Sequence, residues 1–237
     1  FRDRDEAYYL IDNVISPYVE EKMAEKGLIT SAVMEIGFMD FVMAGPVRKP
    51  SDLEDMKIGS WESPVHVSFW KALGGNPIPI PATEVLSAYA RGMVDSGANS
   101  ASALLAWDKF FGAAVKREDI WITRTAFTYH AGVIVMNKKF CDKIPAEYRE
   151  VFNEELDDMM RNIRHDIAEA QPRAYKKLDS LGYNIVELSP EEKQVFIDRS
   201  QVVYEELEDE IGEEFLDKVL DARAKYRGER EKQAAAE

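Results

Sequence analysis

The glycine and proline punctuation between Met56 and Asn99 constrains this chain more than any other feature. Gly74 and Gly75 close whatever helix precedes them, because glycine takes the left-handed turn at little steric cost. Pro77, Pro79 and Pro81 force an extended segment, since each fixes its own φ and pushes its predecessor out of the α region. Between these marks, residues 57–61 read as a strand, and Val65, Phe69, Ala72 and Leu73 recur as on one helix face. Val85, Leu86 and Tyr89 share the face of a second helix that Thr83 can cap and Gly92 stops. Met93, Val94 and Asp95 read as a third strand. Strands joined by single helices predict a parallel sheet, and such sheets bind ligands beyond the strand carboxyl ends. Those ends are residues 59–61, 82–83 and 96–99.

Composition narrows the function classes. A net charge of −14 excludes nucleic-acid phosphates and anionic membrane surfaces as partners. No apolar run approaches the roughly 20 residues that span a bilayer, so direct membrane insertion is not expected. No apolar leader opens the sequence, as expected of a mature product or a cytosolic chain. The single cysteine, Cys141, leaves no internal disulfide and no cysteine metal cluster. Neither a metal nor a cofactor is expected.

The series Asp52-Leu53-Glu54-Asp55-Met56-Lys57-Ile58, Lys71-Ala72-Leu73-Gly74-Gly75-Asn76-Pro77, Glu84-Val85 and Gly92-x-Val94-Asp95-x-x-x-Asn99 carries a resemblance. Asn137-Lys138-Lys139 and Ile144-Pro145 continue it. The chain resembles the solute-binding subunits of TRAP transporters, the DctP-type family. The resemblance implies a non-enzymatic, extracytoplasmic (periplasmic), two-lobed α/β receptor that closes on a small solute, usually a carboxylate, and delivers it to a TRAP permease in the membrane. The segment from Phe1 to Glu6 corresponds to a point well inside the first lobe, so the sequence is expected to lack the beginning of that fold.

The resemblance also marks departures. Met39 stands where many members carry an arginine, and Gly59 stands at the ligand-clamping arginine that follows the strand. An arginine fork makes paired charge-assisted bonds to a carboxylate, which glycine cannot. Ala82 replaces an aromatic residue that lines the cleft, whereas Asn99 is retained and can both donate to and accept from a solute. These differences imply a changed ligand. Trp61, two residues past Gly59, can stack on a flat ring. Trp70 and Trp107 read as core. Arg124 is the cation nearest these strands that could replace the clamp. Tyr129 and His130 precede the apolar run at residues 133–136, where the family lines its cleft. The same residues have bland readings: Asn99 as a helix cap, His130 as a partly buried imidazole.

The remaining elements complete the expected two-lobed, mostly parallel α/β fold. Residues 1–38 and parts of 126–237 form the remainder of lobe I with the long and C-terminal helices, and residues 39–125 form the βαβ core of lobe II. Residues 29–44 read as one or two strands broken at Gly37, and residues 120–125 and 129–136 as two more. The run at 133–136 reads as buried on both faces. A helix bracing the hinge is expected over residues 145–181, kinked by Pro172, and would reach about 55 Å. Ser189, Pro190 and Glu192 make a strong helix start. Residues 227–237 read as a frayed tail, and the acidic run at 205–214 as a solvated face. No nucleophile elbow, phosphate-cradling loop or zinc helix is present, and His66, His130 and His165 are scattered, so catalysis is not expected. Two other readings stand beside the receptor: a repurposed sensor or interaction module of the same fold, and an α/β enzyme using His130. The oligomeric state is not readable.

Overall fold

The computed structural model describes residues 1–81 and 83–234, with the side chains of Ser31, Ala32, Leu86 and Ala114 left aside. Ala82 lies outside the described residues, so its expected place at a strand end is not addressed. The chain opens with α1 (Arg4–Leu10), a π-helical turn (Ile11–Ile15) and α2 (Ser16–Glu25), with Pro17 in the first turn of α2. The long strand β1 (Leu28–Met43) follows. The organising stretch then gives β2 (Lys57–Ser60), α3 (Pro64–Ala72), β3 (Asn76–Pro79), α4 (Val85–Ala90) and β4 (Ser96–Asn99). Next come α5 (Ala101–Ala106), α6 (Asp108–Ala114), β5 (Trp121–Asn137), α7 (Lys138–Cys141) and the 35-residue α8 (Ala146–Ser180). The chain ends with β6 (Asn184–Glu187), α9 (Pro190–Ser200), α10 (Val202–Glu206), α11 (Glu208–Ile211) and α12 (Glu213–Ala234).

The sheet order is β3-β2-β4-β1-β5-β6. As the punctuation requires, β2 runs parallel to β3, with Gly59 opposite Ile78, and parallel to β4. β5 and β6 are also parallel. The sheet is nevertheless mixed, because β1 pairs antiparallel with β4 in the register Asp40 to Asn99.

Several expectations need correction. The third strand of the organising stretch is residues 96–99, not 93–95. Asp95 closes the turn before it, its amide donating to the Lys57 carbonyl at 2.8 Å while Val94 is buried. β1 does not break at Gly37, which takes φ 112° and lets the strand continue. The two strands expected between 120 and 136 are one, carrying Ala126 at φ 49°. The run at 133–136 is not buried on both faces: Val133 and Val135 are exposed while Ile134 and Met136 are half-buried. The segment from Arg227 to residue 234 is helix, anchored because the Arg227 guanidinium bonds the buried Glu6 at 2.5 and 3.0 Å.

The chain divides into two compact units. The larger, residues 38–128 and 169–210, holds two large apolar cores and a smaller cluster of Ile80, Ala88 and Val94. Phe41, Leu53, Ile58, Trp70 and Phe196 centre one, and Leu104, Ile120, Ile122 and Leu178 the other. Trp70 is thus the core residue expected from sequence, but Trp107 is 47% exposed at the α5–α6 junction and is not. The smaller unit, residues 1–37, 129–168 and 211–237, packs α12 on the first helices. Tyr18 stacks on Phe215 at 3.9 Å and Tyr9 lies 4.8 Å from Tyr226. Beside it, β1 and β5 run so close that a Cβ on Gly132 would fall 2.9 Å from Met34 Cε.

Candidate functional site

In the larger unit Gly59, Trp61 and Asn99 lie at the carboxyl ends of β2 and β4, while Met39 lies on β1 and Arg124 on β5. Gly59 lies where β2 and β4 approach closely: a Cβ there would sit 3.3 Å from the Ser96 carbonyl oxygen and against Val94. Trp61, half-buried, follows directly. Its ring centroid is 4.0 Å from that of His66 on α3, and His66 in turn lies 6.0 Å from Phe127 of β5. Phe127 stacks on Phe69 at 4.8 Å. From Trp61 a series of ring contacts therefore runs into the core around Phe41 and Trp70, and of these rings sequence reasoning placed only Trp61 at the candidate site. His66 and Phe69 sit four and one positions from Trp70 on α3, a local signal; Phe127 is distant in sequence.

Asn99 ends β4. Its Oδ1 accepts from the Ser100 amide at 2.9 Å, while Ser100 itself caps α5 by accepting from Ala103. Met39 is 4% exposed on β1. Next to it, Asp40 is buried, with one carboxylate oxygen accepting from the Ala126 amide at 3.0 Å and the other from the Tyr175 hydroxyl of α8. Burial lifts the Asp40 pKa to about 6, against the lowering effect of these bonds. The Tyr175 hydroxyl is pushed above its usual range, first by burial and then by the Asp40 charge. Arg124, the proposed replacement clamp, lies 4.1 Å over the Tyr175 ring and pairs with Glu187. A solute carboxylate would have to compete with Glu187 for it.

The smaller unit holds the other two candidates. Tyr129 is buried and meets Tyr8 edge-on at 6.4 Å. His130 is half-buried, and burial lowers its pKa, favouring the neutral imidazole. Beside Tyr129, Glu35 accepts from Arg4 Nε at 2.9 Å and from the Tyr8 hydroxyl, with its side chain fully buried. Arg164 grips Asp12 through both guanidinium nitrogens at 2.6 and 2.8 Å and covers the Tyr8 ring at 4.6 Å. None of Glu35, Arg164, Asp40 or Tyr175 was among the residues expected from sequence. Among the described residues, no three His, Cys, Asp or Glu side chains form a metal-binding group, and no helix is long and apolar enough to cross a membrane.

This arrangement offers hydrogen-bonding and stacking groups at strand ends, the chemistry of a binding site. The profile of the bacterial extracellular solute-binding protein family 7 (DctP) matches residues 1–210, and the chain belongs to that family, the DctP-type solute-binding proteins of TRAP transporters. Among solved structures, a galactonate complex of the sugar-acid-binding protein DctPAm of Advenella mimigardefordensis is similar at TM-score 0.85 and 26% identity. The match covers 95% of this chain and 71% of that one. A TRAP periplasmic solute-binding protein of Ochrobactrum anthropi gives TM-score 0.82 at 28% identity, covering 97% and 70%. The fold is accordingly the two-lobed periplasmic-binding type. Of the curated relatives, the 2,3-diketo-L-gulonate-binding periplasmic protein YiaO of Escherichia coli is 25% identical over 187 residues, 78% of this chain and 55% of YiaO. The ectoine-binding periplasmic protein TeaA of Halomonas elongata is 23% identical over 199 residues, 82% and 57%. The chain thus spans little more than half the length of these two relatives.

Proposed function

We propose that this chain is part of an extracytoplasmic receptor that captures a small organic solute, an organic acid or an aromatic compound, and delivers it to a TRAP-type membrane permease. The family match over residues 1–210 carries this reading. The relatives support it in kind: their names give a keto-sugar acid for one, ectoine for another and galactonate for a third. The two compact units are assigned as its lobes. Trp61, Asn99, Tyr129 and His130 are the proposed solute contacts, with Met39 and Gly59 at positions where arginines would otherwise stand. Arg124 serves as the anion partner only if a solute displaces Glu187. Capture follows hinge closure, whose free energy comes from contacts made only in the closed state.

Thermal unfolding with dicarboxylates, sugar acids, ectoine and aromatic carboxylates tests this. A binding solute at about 100 times its Kd adds about 2.7 kcal/mol to stability. Trp61→Ala and Asn99→Ala should each weaken the responding solute about tenfold or more by calorimetry. No response from any class would overturn the receptor reading, and unchanged affinity in both variants would overturn the site.

A further inference from the structure

The chain passes from one compact unit to the other at residues 37/38, 128/129 and 168/169, within β1, β5 and α8, and a fourth time at 210/211, within α11. Beside each of the first three passages the backbone is irregular. Gly37 has φ 112° and Ala126 has φ 49° without glycine's freedom. Pro172, inside α8, has no N–H to donate to the Ala168 carbonyl.

One hydrogen-bonded cluster within the larger unit ties the chain down beside the first three of these places. Asp40, two residues past the first passage, accepts from the amide of Ala126 itself and from Tyr175 of α8. Gln171, beside Pro172, donates to the Phe38 carbonyl at 3.1 Å and to the Tyr175 hydroxyl oxygen at 3.3 Å. Asp40 is only 1% exposed, so its two bonds offset part of the hydration it has lost. Its other neighbours are few: Asn99 stands opposite it on β4, Arg124 of β5 and Lys193 of α9 act on it electrostatically, and Glu187 of β6 holds Arg124.

We propose that Asp40 is a positioning residue for solute capture: its ionised carboxylate fixes the backbone beside three of the four passages and biases the conformational equilibrium of the receptor without touching the solute. The proposal rests on the receptor reading for its purpose, but not for its physics. Bonds to an ionised carboxylate are roughly twice as strong as those to a neutral one, so protonating Asp40 loosens its grip on Ala126 and Tyr175. With its pKa raised to about 6, this change falls between neutral and mildly acidic conditions.

Spin labels on Cys141, the single cysteine, in the smaller unit and on Glu118→Cys, an exposed site in the larger, report the distribution of distances between the units. Solute-free protein is measured at about pH 7.5 and about pH 5, on either side of the raised Asp40 pKa. We expect the populations to shift several-fold between the two conditions when Asp40 is present and not in Asp40→Asn. Tyr175→Phe, which removes one donor and leaves the carboxylate in place, should reduce the shift and serves if Asp40→Asn does not fold. A distribution that ignores pH, or a full shift surviving either substitution, overturns the proposal. Because no solute is used, that outcome leaves the receptor reading standing. Failure to bind any solute would equally leave this measurement unchanged.

Discussion

At the scale of single residues, Asp40 is a buried carboxylate whose protonation is moved toward neutral pH. A folded-state pKa above the unfolded value means the native protein binds that proton more tightly. The stability from this group is therefore fully present below about pH 4, falls as pH rises toward about 6, and is flat above that. Asp40→Asn lacks the effect. Its unfolding free energy relative to wild type should rise by up to about 3 kcal/mol from pH 4 to pH 7, read from paired urea titrations. The signal for Asp40 was in the sequence, a lone carboxylate inside the apolar run from Ile36 to Ala44. Its partners were not legible, since Ala126 and Tyr175 stand 86 and 135 residues away and only the folded chain brings them near. Local pattern likewise placed Trp70 in the core and misplaced Trp107, because helical spacing says which residues share a face but not whether anything covers it.

At the scale of elements, the parts written in local chemistry were the readable ones. The helix start at Ser189 has the predicted reciprocal cap: its hydroxyl accepts from the Glu192 amide at 3.2 Å while the Glu192 carboxylate accepts from the Ser189 amide at 2.7 Å. Ser189→Ala should cost about 1 kcal/mol in chemical denaturation. β1 and β5 were less legible, because Gly37 and the residues around Ala126 resemble breaks, whereas each strand continues through its positive-φ residue. α8 ran its predicted length, yet its two halves differ. Tyr148 and Val151 stand exposed in the first, while Ala174 and Leu178 are buried in the second. Hydrogen exchange should therefore be faster at residues 148–156 than at 172–180, and equal protection would contradict this difference in packing.

At the scale of the whole molecule, charge and connectivity dominate. A net charge of −14 repels itself in the folded state, and added salt screens that repulsion. The ion pairs that salt also weakens are mostly exposed and individually worth little. The melting temperature near pH 7 should therefore rise by a few degrees between about 0.02 and 0.5 M sodium chloride, and a fall would mean that the buried pairs at Glu6 and Glu35 outweigh the net charge. The division into units has a consequence for biosynthesis. The smaller draws on residues 1–37, 129–168 and 211–237, the larger on 38–128 and 169–210. Neither can be completed on the ribosome until translation has passed residue 210, so the segments made earlier wait, unfinished and open to chaperones, for the later ones to arrive.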